Sequence, residues 1–305
     1  MNNSIYTNSN RILLILVLCT FGLACVHQQQ VAVQKEVTKA AVVKQADVNK
    51  IYSVAAKKDQ KFASGEIDST IKNNIEAKLQ KYTKQQDSIS VAIAYLERAS
   101  KDKSLYKNNK TYVTSQMKLL KTFKDSYKAR LRRIAMIDTS LDWTTSHSFN
   151  LAAFFGPGKY EIPSDKMKAA ETAFIPILDS LVQFYNRYQD IEREATLIIM
   201  GFADEVGFTP GTETYKEIAT LVNQPQPSKP LMNQKLSEMR ANKLGDVMER
   251  LLARKINGFD SVRNVDFVFL ETGKGEALPS RLIKDYKPED ERRRVVLFFW
   301  NILPK

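Results

Sequence analysis

The stretch that decides the fold is Asn233-Gln-Lys-Leu-Ser-Glu-Met-Arg-Ala241, which begins a long amphipathic segment in a chain of 305 residues. Apolar side chains recur through this segment at spacings of three and four, so a helix would place them along one face. That face consists of Leu236, Met239, Leu244, Val247, Met248 and Leu251. The pattern predicts a helix over residues 233–255 that packs against a core.

Apolar runs on both sides of this helix predict strands at residues 148–155, 196–200, 265–270 and 295–300. Consecutive apolar residues after Thr196 are typical of a central strand that is covered on both faces. A second amphipathic helix is predicted from about Ser164, and a short one around residues 215–222. Helices that alternate with strands predict an α+β fold, with a two-layer α/β sandwich and a mixed sheet over residues 146–305.

Four segments of this half resemble the OmpA-like domain, which the peptidoglycan-associated lipoprotein also contains. The segments are Phe154-Phe155 through Leu181, then Ile198-Ile-Met-Gly-Phe-Ala-Asp204, then Asn233 to Ala241, and finally Gly273-x-Gly-Glu276 with Pro279 and Arg293-Arg-Val295. Together they cover roughly half of the chain, and the Leu-Ser-x-x-Arg-Ala helix start is the most specific of them.

The resemblance implies a non-enzymatic domain that binds the diaminopimelate residue of the peptidoglycan stem peptide. By position it assigns ligand contacts to Asp204 and Arg240. Arg293 and Arg294 precede an apolar strand, and one of them would face the cleft and the other solvent; the sequence does not assign which, and we predict Arg293 as the third contact. Diaminopimelate has an ammonium and a carboxylate on one carbon. A site that binds it therefore needs one anion for the ammonium and one group with two hydrogen-bond donors for the carboxylate, at a fixed separation. The planar guanidinium of arginine suits a carboxylate because it donates two parallel hydrogen bonds.

The sequence departs from the family pattern at two places beside this site. Phe202-Ala203 stands where the family has His-Thr, which removes polar support next to Asp204. The separation of 36 positions between Asp204 and Arg240 exceeds the family norm, and the excess near residues 208–230 predicts a surface excursion. The excursion either covers the cleft or leaves it untouched.

Residues 66–142 have long helical stripes, among them Ile67, Ile71, Ile75 and Leu79 and, further on, Val113, Met117, Leu120 and Phe123. We predict a helical hairpin or bundle over residues 66–145, with a coiled-coil dimer as the alternative. This region contains no motif that indicates chemistry, and we expect an envelope protein partner there.

An apolar run of 14 residues follows Arg11 and ends in Leu-Ala-Cys25, which is too short to span a bilayer and resembles a lipobox. We therefore predict a lipoprotein signal peptide over residues 1–24, and at residues 25–65 an acylated Cys25 and a tether, either flexible coil or partly helical. The alternatives are ordinary cleavage, which would leave Cys25 as a free thiol, and an uncleaved anchor helix. The predicted location is the outer membrane, facing the periplasm.

Composition excludes several classes of function. The formal charge is +12, but an exported chain does not meet chromosomal DNA, so we interpret the basic surface as attraction to anionic wall or lipid headgroups. Two His, two Cys and no Gly-x-Ser-x-Gly motif argue against an envelope hydrolase, a metal site or a cofactor. The prediction is a tether between outer membrane and cell wall. The alternative is an interaction scaffold whose OmpA-like domain has lost wall binding.

Overall fold

The structure is a computed structural model. It describes residues 4–144, 147–150, 155, 159–256, 265–280 and 282–305, and their side chains except those of residues 4–25, 147–150 and 265. The side chain of Cys25 and residues 151–154 of the first predicted strand lie outside the described part.

The chain divides into two compact units. One unit comprises residues 1–53 and 79–134, and the other comprises residues 54–78 and 135–305. These limits differ from the predicted domain boundaries at residues 66 and 146, because the long helices α1 (Ser4–Ala63), α2 (Ser69–Lys101) and α5 (Tyr127–Trp143) each contribute to both units.

The first unit is a helical bundle built from α1, α2, α3 (Lys103–Asn108), α4 (Lys110–Asp125) and the start of α5. Its core joins Val33 and Val37 of α1 to Ile89 and Leu96 of α2 and to Phe123 of α4. This confirms the predicted N-terminal helical region.

Polar contacts fix the direction of each helix in the bundle. The side-chain amide of Gln30 donates to the backbone oxygen of Ala99 at 3.2 Å, while that of Gln86 donates to Asp47 at 3.1 Å, so α2 runs antiparallel to α1. The ammonium group of Lys124 bonds to Glu36. Tyr106 of α3 donates to Gln29 and Arg130 of α5 donates to Asp47, so the chain from α3 through α4 to the start of α5 follows α1 in the same direction.

The interpretation of residues 26–50 as flexible coil is wrong. These residues are helical, and Val33, Val37 and Ala40 are fully buried in the bundle core. The physical reason is the spacing of small apolar residues at three and four positions, which gives α1 an apolar face although the segment lacks aromatic residues. Among the residues that the structure describes, no helix is long and apolar enough to cross a membrane.

The second unit contains a mixed sheet of four strands in the order β1-β4-β2-β3. The strands are β1 (His147–Asn150), β2 (Arg193–Gly201), β3 (Val265–Gly273) and β4 (Val295–Pro304). β2 pairs in parallel with β3 and antiparallel with β4, which in turn pairs antiparallel with β1. The predicted mixed sheet is confirmed.

Helices α6 (Ser164–Arg187) and α8 (Lys229–Ile256) pack on this sheet and close its core. Leu197 and Ile199 of β2 face Phe174 of α6 and Leu244 of α8 in one cluster, while the alternate residue Ile198 is also buried, at 2% exposure. The predicted central strand, covered on both faces, is therefore β2.

Candidate functional site

Asp204 lies three residues beyond the end of β2, in a turn that its own side chain stabilises. Its Oδ1 accepts a hydrogen bond from the backbone N–H of Val206 at 3.3 Å. The side-chain amide of Asn233, in the first turns of α8, donates to the backbone oxygen of Asp204 at 3.0 Å. The carboxylate is thereby fixed at the carboxyl end of the sheet, and the residue is only 7% exposed.

Two glycines allow α8 to approach the strand ends closely enough to reach this turn. A Cβ on Gly201, the last residue of β2, would lie 2.1 Å from the backbone oxygen of Ser237. A Cβ on Gly273, the last residue of β3, would lie 2.6 Å from the backbone nitrogen of Glu238. Neither contact leaves room for a side chain, so the sequence needs glycine at both strand ends.

Arg240 is one helical turn beyond Ser237 and points into the same region. Its Nε donates to the backbone oxygen of Lys159 at 2.9 Å, and its guanidinium carbon lies 5.6 Å from the centre of the Phe155 ring. Among the described residues, no other hydrogen bond is made by this side chain. Arg240 is 6% exposed.

We refer to Asp204, Arg240 and Arg294 as the cluster, because the charges of Asp204 and Arg294 both act on the guanidinium of Arg240. Burial lowers the pKa of Arg240 to about 10, Asp204 opposes that shift, and the charge of Arg294 adds to it. Arg294 itself pairs with Asp204, with 2.5 Å between Nε and Oδ2. Arg294 bonds to the carboxylate directly, whereas Arg240 forms no ion pair with it within 4.0 Å among the described residues. One carboxylate and two guanidinium groups give the cluster a net positive charge.

Arg294 is the accessible member of this cluster. Its side chain is 36% exposed, against 11% for the side chain of Asp204. The carboxylate of Asp204 is therefore paired with a guanidinium that solvent can reach.

Arg293, which the sequence analysis had assigned to the ligand, is held elsewhere. It is 3% exposed, its Nη1 donates to Glu205 at 2.6 Å, and its Nη2 donates to the backbone oxygen of Glu276. The side chain therefore joins three loops from within. A single turn of 3-10 helix at Glu291–Arg293 precedes β4. Arg293, at its end, points inward, and the next residue, Arg294, faces Asp204.

The Gly-x-Gly-Glu segment supports the site rather than contacting a ligand position. Gly275 adopts a φ of +53°, its N–H donates to the hydroxyl of Ser237 at 2.9 Å, and its carbonyl accepts from Ala203 at 2.7 Å. The carboxylate of Glu276 accepts from the side chain of Asn233 at 2.8 Å. These contacts explain why the resemblance extends over segments far apart in sequence.

The excursion between Asp204 and Arg240 contains α7 (Glu213–Leu221), which confirms the short helix predicted there. Ile218 is fully buried and packs with Met232 and Leu236 of α8 in a small core of its own. The hydroxyl of Tyr160 bonds to Glu217, and this bond raises the pKa of Tyr160 to about 12. Tyr160 thus attaches the excursion to the segment that contains Lys159, whose carbonyl accepts the hydrogen bond from Arg240.

Phe202 and Ala203, which replace polar residues of the family pattern, are 5% and 2% exposed. Their backbone N–H groups donate to Val295 and Gly275, so the turn is held by main-chain bonds. The polar support that the sequence lacks beside Asp204 comes instead from Arg294 and from the N–H of Val206.

Within the described part of the chain, no group of three or more His, Cys, Asp or Glu residues is arranged to hold a metal ion. His27 is exposed on α1.

No protein-family model matches the chain, and no curated protein matches it. Among solved structures, a MotB-like protein of Desulfovibrio vulgaris aligns over 52% of this chain and 73% of its own, at 18% identity and a TM-score of 0.29. The type VI secretion cell wall anchor of Pseudomonas aeruginosa aligns over 52% of this chain and 82% of its own, at 14% identity and a TM-score of 0.26. The periplasmic domain of Helicobacter pylori MotB aligns over 52% of this chain and 74% of its own, at 16% identity and a TM-score of 0.24. Likenesses at these TM-scores support no conclusion about function.

Proposed function

We propose that this chain is a non-enzymatic outer-membrane lipoprotein that binds the diaminopimelate stem peptide of peptidoglycan through its α/β unit. The observation that carries the proposal is the cluster at the carboxyl end of the central strand, in which Asp204 and Arg240 are nearly buried and Arg294, which pairs with Asp204, is accessible. Open α/β sheets commonly bind ligands at that end. The sequence resemblance to OmpA-like domains supports the same assignment for the first two residues.

The charges of the cluster match a zwitterion. The ligand ammonium would replace the guanidinium of Arg294 at Asp204, and the released Arg294 and Arg240 would share the ligand carboxylate. Ion pairs in an enclosed site keep their strength better than the ~0.2–1 kcal/mol of exposed pairs. The displacement of Arg294 has a cost, because only the fraction of molecules with an open carboxylate is competent to bind.

The proposed tether has two attachments. Acylation of Cys25 would hold the outer membrane, and the cluster would hold the cell wall. Two weak attachments at a suitable spacing give useful avidity.

A second function, an interaction scaffold without wall binding, is favoured by one observation. Asp204 and Arg240 are both less than a tenth exposed, and Arg294 already neutralises the carboxylate. In that case the cluster would serve stability alone, and the helical unit would bind a protein partner.

Sedimentation with purified peptidoglycan separates the two functions. Wild type is expected to co-sediment, and the double substitution Asp204→Ala/Arg240→Ala is expected to stay in the supernatant. The matched control is Asp179→Ala/Lys255→Ala, which removes an exposed ion pair from the same unit. If wild type and the site variant sediment equally poorly, the scaffold is correct.

Arg294→Gln isolates the proposed displacement step. The substitution removes the ion pair at Asp204 and one partner of the ligand carboxylate, so it is expected to weaken sedimentation without unfolding the unit. Unchanged sedimentation would exclude Arg294 from the site.

A further inference from the structure

The net charge of the protein lies entirely in the helical unit. Residues 1–53 and 79–134 contain 19 Lys and Arg against 6 Asp and Glu, whereas the other unit contains 27 against 28. A charge of this size on a small bundle creates an attractive potential for anionic surfaces.

One group of cations in the bundle lies at the corner formed by the end of α2, the helix α3 and the start of α4. This corner has five cations: Arg98, Lys101, Lys103, Lys107 and Lys110. Four are exposed and Lys103 is half-buried, and within the described chain none of the five forms an ion pair with a carboxylate. The one acid in the same stretch, Asp102, is engaged as the cap of α3, where its side chain accepts from the backbone N–H of Leu105 at 2.9 Å.

The corner lies beside the first turns of α1 that follow the apolar run. The hydroxyl of Tyr106 donates to the side chain of Gln29 at 3.2 Å, and the amide of Gln30 donates to the carbonyl of Ala99 at 3.2 Å. Gln29 is four residues beyond Cys25, a rise of roughly 6 Å along a helix. That distance is within the Debye length of about 8 Å at physiological ionic strength.

We infer that the basic corner 98–110 is a second membrane contact, which binds the headgroups of anionic lipids and sets the orientation of the bundle at the bilayer. The inference rests on the proposed anchor at Cys25, because the anchor brings the corner to the surface. A lipid chain and a basic patch act together, since the first supplies attachment and the second supplies charge recognition. The other end of the bundle, where Arg130 of α5 pairs with Asp47 of α1, is further from the anchor.

The experiment uses the full chain, purified from the membranes that process it and reconstituted into vesicles. A fluorescent amino acid is placed at Asn108 in the corner or at Ala129 on α5, both exposed. Quenching by a lipid with a nitroxide headgroup is compared in neutral phosphatidylcholine and with about 30% phosphatidylglycerol added. The expected result is at least a twofold rise of quenching at Asn108 that is reversed in about 0.5 M NaCl, with no rise at Ala129.

Charge reversals provide the matched control. Lys101→Glu/Lys107→Glu/Lys110→Glu should abolish the rise at Asn108. The second triple variant, Lys81→Glu/Lys84→Glu/Lys128→Glu, makes the same change in charge at exposed positions near the contacts of Gln86 and Arg130 with Asp47, which is further along α1 from Cys25. It should leave the rise intact, and circular dichroism establishes that both variants are folded.

Three results would overturn the inference. They are equal quenching at Asn108 in neutral and anionic vesicles, an equal loss of the quenching rise in both triple variants, and a fluorescence change at Asn108 that a soluble anionic polysaccharide causes and anionic lipid does not. Failure of the proposed function is seen separately. The mass of the mature N-terminus reports the anchor, and sedimentation with peptidoglycan reports the α/β site, and neither depends on the quenching.

Discussion

Replacement of Gly201 by alanine tests how the site is positioned. The new methyl group would lie 2.1 Å from the backbone oxygen of Ser237, whereas Cβ atoms in proteins do not approach heavy atoms closer than 3.0 Å. Because backbone lies on both sides of the contact, α8 would have to move by about 0.9 Å, which is the difference of these two distances. Arg240 is one turn further along α8 and would move with it.

The energetic effect follows from this displacement. Overpacked sites cost about 1–3 kcal/mol, and a contact between main chains belongs at the upper end. For a unit of this size, about 3 kcal/mol lowers Tm by roughly 6–12 °C. The displaced Arg240 should also weaken sedimentation with peptidoglycan at temperatures where the variant is folded.

The assay is a thermal melt of Gly201→Ala beside Gly207→Ala, followed by sedimentation of both. A Cβ on Gly207 would lie 3.2 Å from Cδ of Lys229, a flexible side chain that can move aside. The control should therefore change stability by less than about 1 kcal/mol. Equal Tm values for the two variants would refute the packing of α8 on the strand end.

Three further changes test other parts of the molecule. Asp47→Ala leaves the buried guanidinium of Arg130 without its anion, 2.7 Å away in the native bundle, so urea unfolding should show a loss of about 3–5 kcal/mol; less than 1 kcal/mol would contradict the buried pair. The bond to Glu217 raises the pKa of Tyr160 to about 12, so its contribution to stability is complete below pH 10 and is lost as the pH rises through 12. Tyr160→Phe should abolish that alkaline loss in a pH titration of Tm, and an unchanged profile would refute it. Arg293→Ala should cost about 2 kcal/mol or more in a thermal melt because it removes charged hydrogen bonds from three loops, and a stable variant would show that these bonds do not hold the loops together.

Periodicity was sufficient to predict the central strand and the long helix over residues 233–255, and the mixed sheet was expected for the OmpA-like fold. Those elements bury a large apolar face, and the spacing of apolar residues reports burial directly. The same signal was present in α1, where Val33, Val37 and Ala40 follow helical spacing. The signal there is weak, because valine and alanine among glutamines and lysines give only a small difference in hydropathy between the two faces of the helix.

The site was predictable only in part. Asp204 and Arg240 follow from the resemblance and stay predictions: among the described residues the carboxylate of Asp204 pairs with Arg294, and Arg240 donates to the carbonyl of Lys159. The choice between Arg293 and Arg294 depends on one turn of 3-10 helix before β4, which neighbouring residues do not reveal. Arg240 donates to the backbone carbonyl of Lys159. A sequence cannot predict this contact, because every residue has a backbone carbonyl.

Recognition of a free amino-acid zwitterion is measured most directly by calorimetric titration of the full chain with a diaminopimelate muropeptide. The same muropeptide with its terminal carboxylate amidated serves as the comparison, and Asp204→Asn is titrated beside Asp179→Asn. We predict binding of the free form to wild type and to Asp179→Asn, with at least a tenfold loss, about 1.4 kcal/mol, for the amidated form and for Asp204→Asn. Equal affinity for the free and amidated muropeptides, or no binding of either, would contradict the proposed role of the Asp204, Arg240 and Arg294 cluster.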